Sequence, residues 1–222
     1  VTSLHPPFDV RIFHKECKTL AAAGYDLTLL AQAAWPETVV DNIRIMGLPE
    51  ISRRWQRPRV WQAIIQKVRA LKPALVHFHN PELLLIAPLL RPAKLIYDCQ
   101  EANAETMLVR RWIPAALRRP VSRLVARLEP YLARQTDAIV ITEDSHVNQF
   151  AGCGRPIVLL YNYPLLSNLP TTHASDGHTL LHVGILSAGP GALTMIEAMR
   201  QVVRHKPEAR LILVGPFDSP AD

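Results

Sequence analysis

Short apolar runs recur along the chain, and longer segments with helical periodicity separate them. The runs are rich in Leu, Ile and Val, which is typical of strands buried on both faces of a parallel sheet. Residues 1–3 have the same character and are interpreted as the end of a further strand. The complete strands are predicted at 26–31, 42–46, 74–78, 94–98, 137–142, 157–160, 179–183 and 209–214.

Helical periodicity fills the segments between these strands. Ile12, Phe13 and Cys17 fall on one face of a predicted helix at 11–23, and Gly24 follows as a C-cap. Strands that alternate with helices predict an α/β protein with a Rossmann-like, doubly wound parallel sheet. The other helices are predicted within 53–71, at 82–90, at 114–134 with interruptions at Pro120 and Pro130, at 143–151 and at 190–205.

A polar stretch at 167–177 divides this pattern into two parts. It contains one proline and has no apolar periodicity, so we expect a linker. Residues 1–166 have enough strands for a whole Rossmann-like domain. Residues 178–222 have two strands and one helix, which cannot cover both faces of a sheet. We therefore expect the start of a truncated second domain, and a chain that is a fragment of a longer protein.

Composition limits the class of protein but does not identify a function. The 222 residues are 49% hydrophobic and 20% charged, which supports a buried core and argues against global disorder. The sequence has no apolar run long enough to span a membrane and no visible signal peptide. The three cysteines lie far apart and the histidines lack metal-binding spacing. We therefore predict reduced thiols, a cytoplasmic location and no structural metal.

Polar side chains follow the buried strand at 94–98. Asp98, Gln100 and Glu101 stand at the carboxyl end of this strand, where open α/β sheets bind their ligands. His79 follows the strand before it in the same way and is a candidate to bind substrate hydroxyl groups. The alternatives are that Asp98 and Glu101 cap a turn or a helix, and that His79 is a structural hydrogen-bonding residue.

Several motifs, taken in order, resemble one known family. The ordered set is similar to the retaining GT-B glycosyltransferases of the family 4 type, and it covers nearly the whole chain. The motifs are Asp9-x-Arg11-Ile12-x-x-Lys15-Glu16, Ala23-Gly24-Tyr25-x-Leu27-Thr28, His79-Asn80-Pro81-Glu82, Tyr97-Asp98-x-Gln100-Glu101, Asn162-Tyr163-Pro164 and His182-Val183-Gly184.

The resemblance implies two Rossmann-like domains across a cleft. The first would hold mainly a hydroxyl acceptor, and the second mainly a nucleotide-sugar, which is a co-substrate rather than a cofactor. The products would belong to polysaccharide or glycolipid biosynthesis. The implied catalytic residues are Asp98, Gln100 and Glu101, the implied substrate-binding residues are Arg11, Lys15, His79, Asn80 and Asn162, and the implied donor-phosphate-binding residues are Gly184, Ser187, Gly189 and Gly191.

The residue patterns alone leave these roles open. Arg11 and Lys15 stand in the first turns of a helix, where a solvated face is the ordinary outcome. Asn162 follows a strand, where asparagine commonly makes a turn. The glycines of 184–191 are compatible with backbone N–H groups that approach a diphosphate at a helix N-terminus, and equally with a plain turn.

The chain departs from the family pattern at three places. Gln100 stands where the family usually has a histidine, and an amide does not titrate near neutral pH. The loop at 187–191 keeps its glycines but lacks the family's arginine. The pair of glutamates that contacts the donor does not occur before Asp222. Two rivals therefore stay open, a sugar-nucleotide epimerase and a non-catalytic module that binds an acceptor or a partner protein.

The segment Arg110–Arg134 has seven arginines and a single acidic residue, Glu129. Arg119, Arg123 and Arg127 are four residues apart and share one helical face. This pattern suggests peripheral contact with an anionic membrane, and the alternative is an ordinary amphipathic surface helix. A nucleic-acid partner is disfavoured despite the net charge of +6, because aromatic residues are few and no nucleic-acid-binding motif occurs.

Overall fold

The computed structural model describes residues 1–110, 112–164, 175–186 and 190–217. The chain divides into two compact units, residues 1–165 and 166–222. The predicted linker lies mostly outside the described residues, so the exact domain limits remain predictions. Among the described helices, none is both long enough and apolar enough to cross a membrane.

Each complete strand predicted from the sequence is present, with ends shifted by a few residues. The strands of the first unit are β1 (Thr28–Gln32), β2 (Glu37–Val40), β3 (Ile43–Leu48), β4 (Leu75–Phe78), β5 (Lys94–Cys99), β6 (Ala138–Ile141) and β7 (Ile157–Leu159), and those of the second are β8 (Thr179–Val183) and β9 (Arg210–Val214).

Helices of different lengths lie between these strands along the chain. They are α1, which is π-helical over Val10–Cys17 and α-helical over Lys18–Ala22, α2 (Arg57–Leu71), α3 (Asn103–Val109), α4 (Ala115–Ala133), α5 (Val147–Phe150) and α6 (Pro190–His205). Short 3₁₀ turns lie at Arg54–Gln56, Pro81–Leu85, Ala87–Leu90, Asp144–His146 and Ala151–Cys153.

The first unit contains two sheets, and both are hydrogen-bonded to an edge segment formed by residues 1–3. Strands β4, β5, β6 and β7 form an all-parallel sheet in that order, and β1, β3 and β2 form a smaller sheet in which β2 is antiparallel. Residues 1–3 lie between them, since Thr2 N donates to Leu30 O at 2.9 Å and His79 N donates to Val1 O at 3.3 Å. The predicted α/β, Rossmann-like fold is therefore confirmed.

Three helix predictions are wrong, and two of them concern segments that contain prolines. The segment 82–90 forms two 3₁₀ turns, because Pro81 and Pro88 cannot donate the hydrogen bonds of a longer helix. The segment 114–134 was predicted to break, yet α4 is continuous through Pro120 and Pro130. Its other backbone hydrogen bonds and its buried face are sufficient to hold it together. The segment 143–151 is three short turns, of which only α5 is α-helical.

The larger core is built around three aromatic side chains. Phe78 and Tyr97 stack with ring centroids 5.6 Å apart, and Phe150 meets Tyr97 edge-on at 6.1 Å. Ile64 and Leu95 are fully enclosed in the same cluster. A second cluster, with Ile12 and Phe13 at its centre, packs α1 on β1 and β3. Buried apolar area of this kind supplies most of the stabilisation of the unit.

Glu129 is a carboxyl group inside this core, and both of its oxygens have partners. Tyr97 Oη donates to Glu129 Oε1 at 2.6 Å, and Asn103 Nδ2 donates to the same oxygen at 2.8 Å. Gln149 Nε2 donates to Oε2 at 3.1 Å. The partners belong to β5, α3 and α5, so this one side chain of α4 connects three other elements. Complete hydrogen bonding is what makes such a buried acid tolerable.

Replacement of Glu129 by alanine should destabilise the protein by about 3 kcal/mol, because it removes the buried acceptor of a phenol and two amides and opens a cavity. Urea denaturation followed by far-ultraviolet circular dichroism measures the effect. The matched control is Glu50→Ala, since Glu50 is exposed. An equal loss in the two variants would contradict the structural role assigned to Glu129.

Candidate functional site

Asp9 fixes the start of α1 at the edge of the sheet. Its Oδ1 accepts hydrogen bonds from the backbone N–H groups of Arg11 and Ile12, each at 2.9 Å. Ile12 and Phe13 then anchor the helix in the core, and Arg11 is drawn inward until it is only 5% exposed. The solvated face expected for Arg11 is wrong, because the packing of its apolar neighbours determines how the helix lies.

Asp98 is the centre of a buried polar group at the carboxyl ends of β4 and β5. Arg11 Nη2 lies 3.1 Å from Asp98 Oδ2, and His77 Nε2 and His79 Nδ1 lie 3.3 Å and 3.5 Å from the same oxygen. With Glu16 these residues form what we call the Asp98 cluster. The parallel pairing of β4 with β5 brings the two histidines and the aspartate together.

Glu16 is the second carboxyl group of the Asp98 cluster. Its Oε1 lies 2.8 Å from Arg11 Nε, although the two atoms are not aligned as a hydrogen bond. Its Oε2 lies 3.5 Å from His79 Nε2. One guanidinium group therefore contacts two carboxyl groups in an enclosed space.

The pKa values of the two carboxyl groups move in opposite directions. Burial raises the pKa of Glu16 to about 8, and the charge of Asp98 adds to this effect. Burial opposes ionisation of Asp98 as well, but hydrogen bonds from His77 and His79, with the charge of Arg11, outweigh it and place the pKa of Asp98 well below its ordinary value. At neutral pH Asp98 therefore carries a negative charge, which Arg11 balances, whereas Glu16 is protonated.

His79 is enclosed as completely as Asp98. Burial lowers the pKa of His79 to about 3, and the hydrogen bond to Asp98 offsets only part of this effect. The amide Nε2 of Gln100 lies 3.0 Å from His79 Nδ1. Gln100 is itself held in place, because Thr142 Oγ1 donates to its backbone oxygen at 3.0 Å. The cluster is thus a nearly neutral unit that contacts Gln100 through His79.

Two clefts in the first unit include members of this region. One has a volume of about 280 Å³ and is bounded by Arg11, Lys15 and Glu16 on α1 and by Leu160 and Tyr161 opposite; we call it the Arg11 cleft. The other, the Glu101 cleft, has a volume of about 470 Å³ and lies where β5 and β6 end. Its polar lining comprises Gln100, Glu101, Glu105, Thr106, Glu143 and His146.

The predicted catalytic residues differ in their access to these clefts. Gln100 and Glu101 line the Glu101 cleft. Asp98 is fully buried and contacts His77 and His79, so its position suits a residue that orients these two rings. Their catalytic roles remain predictions.

The predicted substrate-binding residues fall into two groups. Lys15 and Asn162 meet at the surface, where Lys15 Nζ donates to Asn162 Oδ1 at 2.7 Å and to Tyr163 O at 2.8 Å. Asn80 is buried, and its Oδ1 accepts hydrogen bonds from Ser3 N at 2.8 Å and from Thr2 Oγ1 at 3.0 Å. Asn80 therefore has a clear role in fixing the edge segment, and its role towards a substrate remains a prediction.

The predicted donor-phosphate loop lies in the second unit and is described only in part. Ser187 and Gly189 lie outside the described residues, whereas Gly184 follows β8 and Gly191 lies in the first turn of α6. A Cβ atom at Gly215, after β9, would lie 1.7 Å from the carbonyl oxygen of Gly184. The two strand ends therefore approach so closely that position 215 requires glycine.

Sequence reasoning missed three residues of this region: Glu16, His77 and His146. In an α-helix, residues 11 and 16 would diverge, but the π-helical turns of α1 use i→i+5 hydrogen bonds and bring such residues to the same side. His77 lies inside the predicted strand 74–78, where its apolar neighbours favour a buried strand rather than a polar site. His146 lies in the 3₁₀ turn Asp144–His146 that follows β6, and the sequence was interpreted there as part of a helix.

The Asp98 cluster also has the composition of a cation site. Potential ligand atoms of Glu16, His77, His79 and Asp98 all lie within 4.8 Å of one another. The guanidinium of Arg11 already contacts both carboxyl groups, and its positive charge opposes a metal ion. The absence of a structural metal remains a prediction.

A Rossmann-like sheet with polar clefts at the carboxyl ends of its strands defines a class of α/β proteins that bind ligands at that edge. The family model of the glycosyl transferase 4-like domain matches residues 10–162 of the chain. This span contains the Asp98 cluster and the lining of both clefts. The chain belongs to this family, as the resemblance in the sequence predicted. Among the curated proteins compared with it, no match is found.

The raised pKa of Glu16 predicts a pH-dependent stability. A carboxyl group whose pKa is higher in the folded than in the unfolded state stabilises the fold at low pH, and this contribution is lost as pH rises towards 8. Between pH 6.5 and 8 the wild type should therefore lose about 1 to 2 kcal/mol relative to Glu16→Gln, because one unit of pH is worth about 1.4 kcal/mol.

Denaturant midpoints of the two proteins, measured across this interval, test the prediction. The matched control is Glu50→Gln, since Glu50 is exposed and its replacement should leave the pH dependence unchanged. Parallel stability curves for the wild type and Glu16→Gln would mean that Glu16 titrates normally in the folded protein.

Proposed function

We propose that the chain contributes the acceptor side of a glycosyltransferase that moves a sugar from a nucleotide-sugar to a hydroxyl acceptor with retention of configuration. Membership of the family supports a transferase that uses a sugar donor and an acceptor. The observation that carries the finer proposal is the Glu101 cleft. Its lining residue Gln100 is held in place by His79 of the Asp98 cluster. A preformed polar surface of this kind suits a molecule with several hydroxyl groups.

Acceptor binding would use the accessible carboxyl and amide groups of the Glu101 cleft. Glu101 and Glu143 are exposed and can accept hydrogen bonds from sugar hydroxyl groups. Gln100 can both donate and accept. Because His79 and Thr142 hold Gln100 from two sides, it would lose little freedom when it binds a substrate. Asp98 would act indirectly, because it orients the His79 ring and this ring contacts Gln100.

The donor would bind to the second unit. Its parallel strands β8 and β9 and the helix α6 form a βαβ arrangement, and the loop between β8 and α6 leads to a helix N-terminus. Backbone N–H groups at such a position favour a diphosphate. Gly184, Ser187, Gly189 and Gly191 are the residues proposed for this contact. The nucleotide-sugar is a co-substrate, and the proposed reaction requires no cofactor.

The reaction exchanges two bonds at the anomeric carbon of the donor sugar. The bond from this carbon to the diphosphate oxygen breaks, and a bond from the same carbon to the acceptor oxygen forms on the same face. The proton of the acceptor hydroxyl passes to the leaving diphosphate. Correct placement of the acceptor and stabilisation of the leaving group account for most of the acceleration in such a scheme. Polysaccharides and glycolipids are the product classes that we propose, and the three free cysteines support a reducing, cytoplasmic compartment.

Replacement of Gln100 or Glu101 by alanine in the natural protein should lower kcat/KM for the acceptor by about 10- to 100-fold, the effect of losing about 1.4 to 2.7 kcal/mol of transition-state stabilisation. Product formation from a panel of nucleotide-sugars, with and without hydroxyl acceptors, is the measurement. Gln66→Ala and Glu50→Ala are the matched controls, because both residues are exposed and lie outside the two clefts.

Unchanged transfer rates in both cleft variants would overturn the proposed acceptor site. Conversion of the donor to another nucleotide-sugar without any acceptor would instead identify an epimerase. Neither transfer nor binding of any nucleotide-sugar would favour the non-catalytic module.

A further inference from the structure

The surface of α4 carries an apolar stripe that the fold does not cover. Leu117, Leu124, Leu128 and Tyr131 are 52%, 55%, 44% and 62% exposed. At 3.6 residues per turn, these four side chains fall within about 60° of one another around the helix axis. They form a straight row that is roughly 21 Å long, at 1.5 Å per residue. We call this row the leucine stripe.

A second stripe of three arginines runs beside the leucine stripe. Arg119, Arg123 and Arg127 are all exposed and follow one another at intervals of one turn. Within the described parts of the chain, none of the three forms an ion pair; the charged partners of Arg11, Arg44, Arg57, Arg91 and Arg200 lie elsewhere. Glu129 is the acidic residue of this helix, and it points into the core. The outer surface of α4 therefore combines apolar and positively charged groups without a compensating acid.

Other residues of α4 are the ones that it buries against its unit. The helix faces its unit through the buried Glu129 and Ala133, with Val125 and Leu132 partly covered beside them. At 100° per residue these positions are centred about 120° around the helix axis from the leucine stripe and about 135° from the three arginines, so both stripes face away from the buried side. Exposure of this apolar row to water is therefore unfavourable, and the buried contacts of α4 within its unit do not relieve it.

We infer that α4 lies flat on an anionic lipid bilayer. The leucine stripe would enter the boundary between headgroups and acyl chains, and the arginines would contact lipid phosphates at the same depth. A bilayer suits this surface better than an acidic protein, because apolar and cationic side chains lie side by side along the helix, and these match the acyl chains and the phosphates of an anionic lipid surface. Val109 and Trp112, just before α4, are also exposed, 71% and 54%, and add apolar surface at its N-terminal end. This inference does not depend on the proposed transfer reaction.

Sedimentation with lipid vesicles tests the inference directly. The wild-type chain should bind vesicles of equal parts phosphatidylcholine and phosphatidylglycerol at about 0.1 M salt, and should not bind phosphatidylcholine alone. The triple variants Arg119→Gln/Arg123→Gln/Arg127→Gln and Leu124→Ser/Leu128→Ser/Tyr131→Ser should each bind at least about tenfold more weakly. The substituted positions are exposed, so circular dichroism should show an unchanged fold.

The matched control removes three exposed arginines from other surfaces, in Arg59→Gln/Arg69→Gln/Arg204→Gln. It has the same net charge as the arginine-stripe variant and should bind like the wild type. Equal weakening in this control would mean that net charge alone drives binding, which overturns the inference. Failure of the wild type to bind anionic vesicles, or full binding by the leucine-stripe variant, would overturn it as well.

Discussion

The contact between Arg11 and Asp98 is the interaction on which the functional edge of the first unit depends. It joins α1 to β5 in a site where both side chains are almost fully enclosed. A lone charge at that depth would cost several kcal/mol, so each residue is tolerable only because the other is present. Hydrogen bonds from His77 and His79, together with the charge of Arg11, keep Asp98 ionised, and ionised Asp98 in turn orients the two histidines. The geometry of the sheet edge thus depends on Asp98 and the three residues that contact it.

A consequence is that the residues that can touch a ligand differ from the residues that arrange the site. Asp98 and His79 are enclosed, whereas Gln100 and Glu101 reach the Glu101 cleft. Glu129 makes a comparable connection on the other side of β5, because it ties Tyr97 to the surface helix α4. Buried carboxyl groups therefore connect β5 to two helices: Asp98 of β5 contacts α1, and Glu129 of α4 contacts β5. One of them supports the cleft, and the other supports the surface that we assign to a membrane.

The sequence was sufficient to predict the fold class and every described strand except β2, because a buried parallel strand is a continuous apolar run with polar residues at its end. The strand β2 is short and antiparallel, and it was missed. The sequence was also sufficient to place Asp98, Gln100 and Glu101 at the carboxyl edge of the sheet. The 3₁₀ turns near Pro88 were missed because the apolar run was given more weight than the proline within it. The continuity of α4 was missed because its remaining backbone hydrogen bonds and its buried face outweigh the local effect of two prolines. Glu16 was missed for a different reason: its approach to Arg11 requires π-helical turns, for which the sequence has no periodic signal.

The titration of His79 tests the central claim, that a closed and nearly neutral Asp98 cluster supports the cleft. The ring proton resonances of His79, assigned by comparison with His79→Gln, can be followed by nuclear magnetic resonance from pH 8 to pH 5. Because burial lowers the pKa of His79 to about 3, its resonances should stay constant over this range while exposed histidines titrate. A midpoint near the ordinary value of about 6.5 would contradict the account, since it would mean that water reaches His79 and that the floor of the cleft is open.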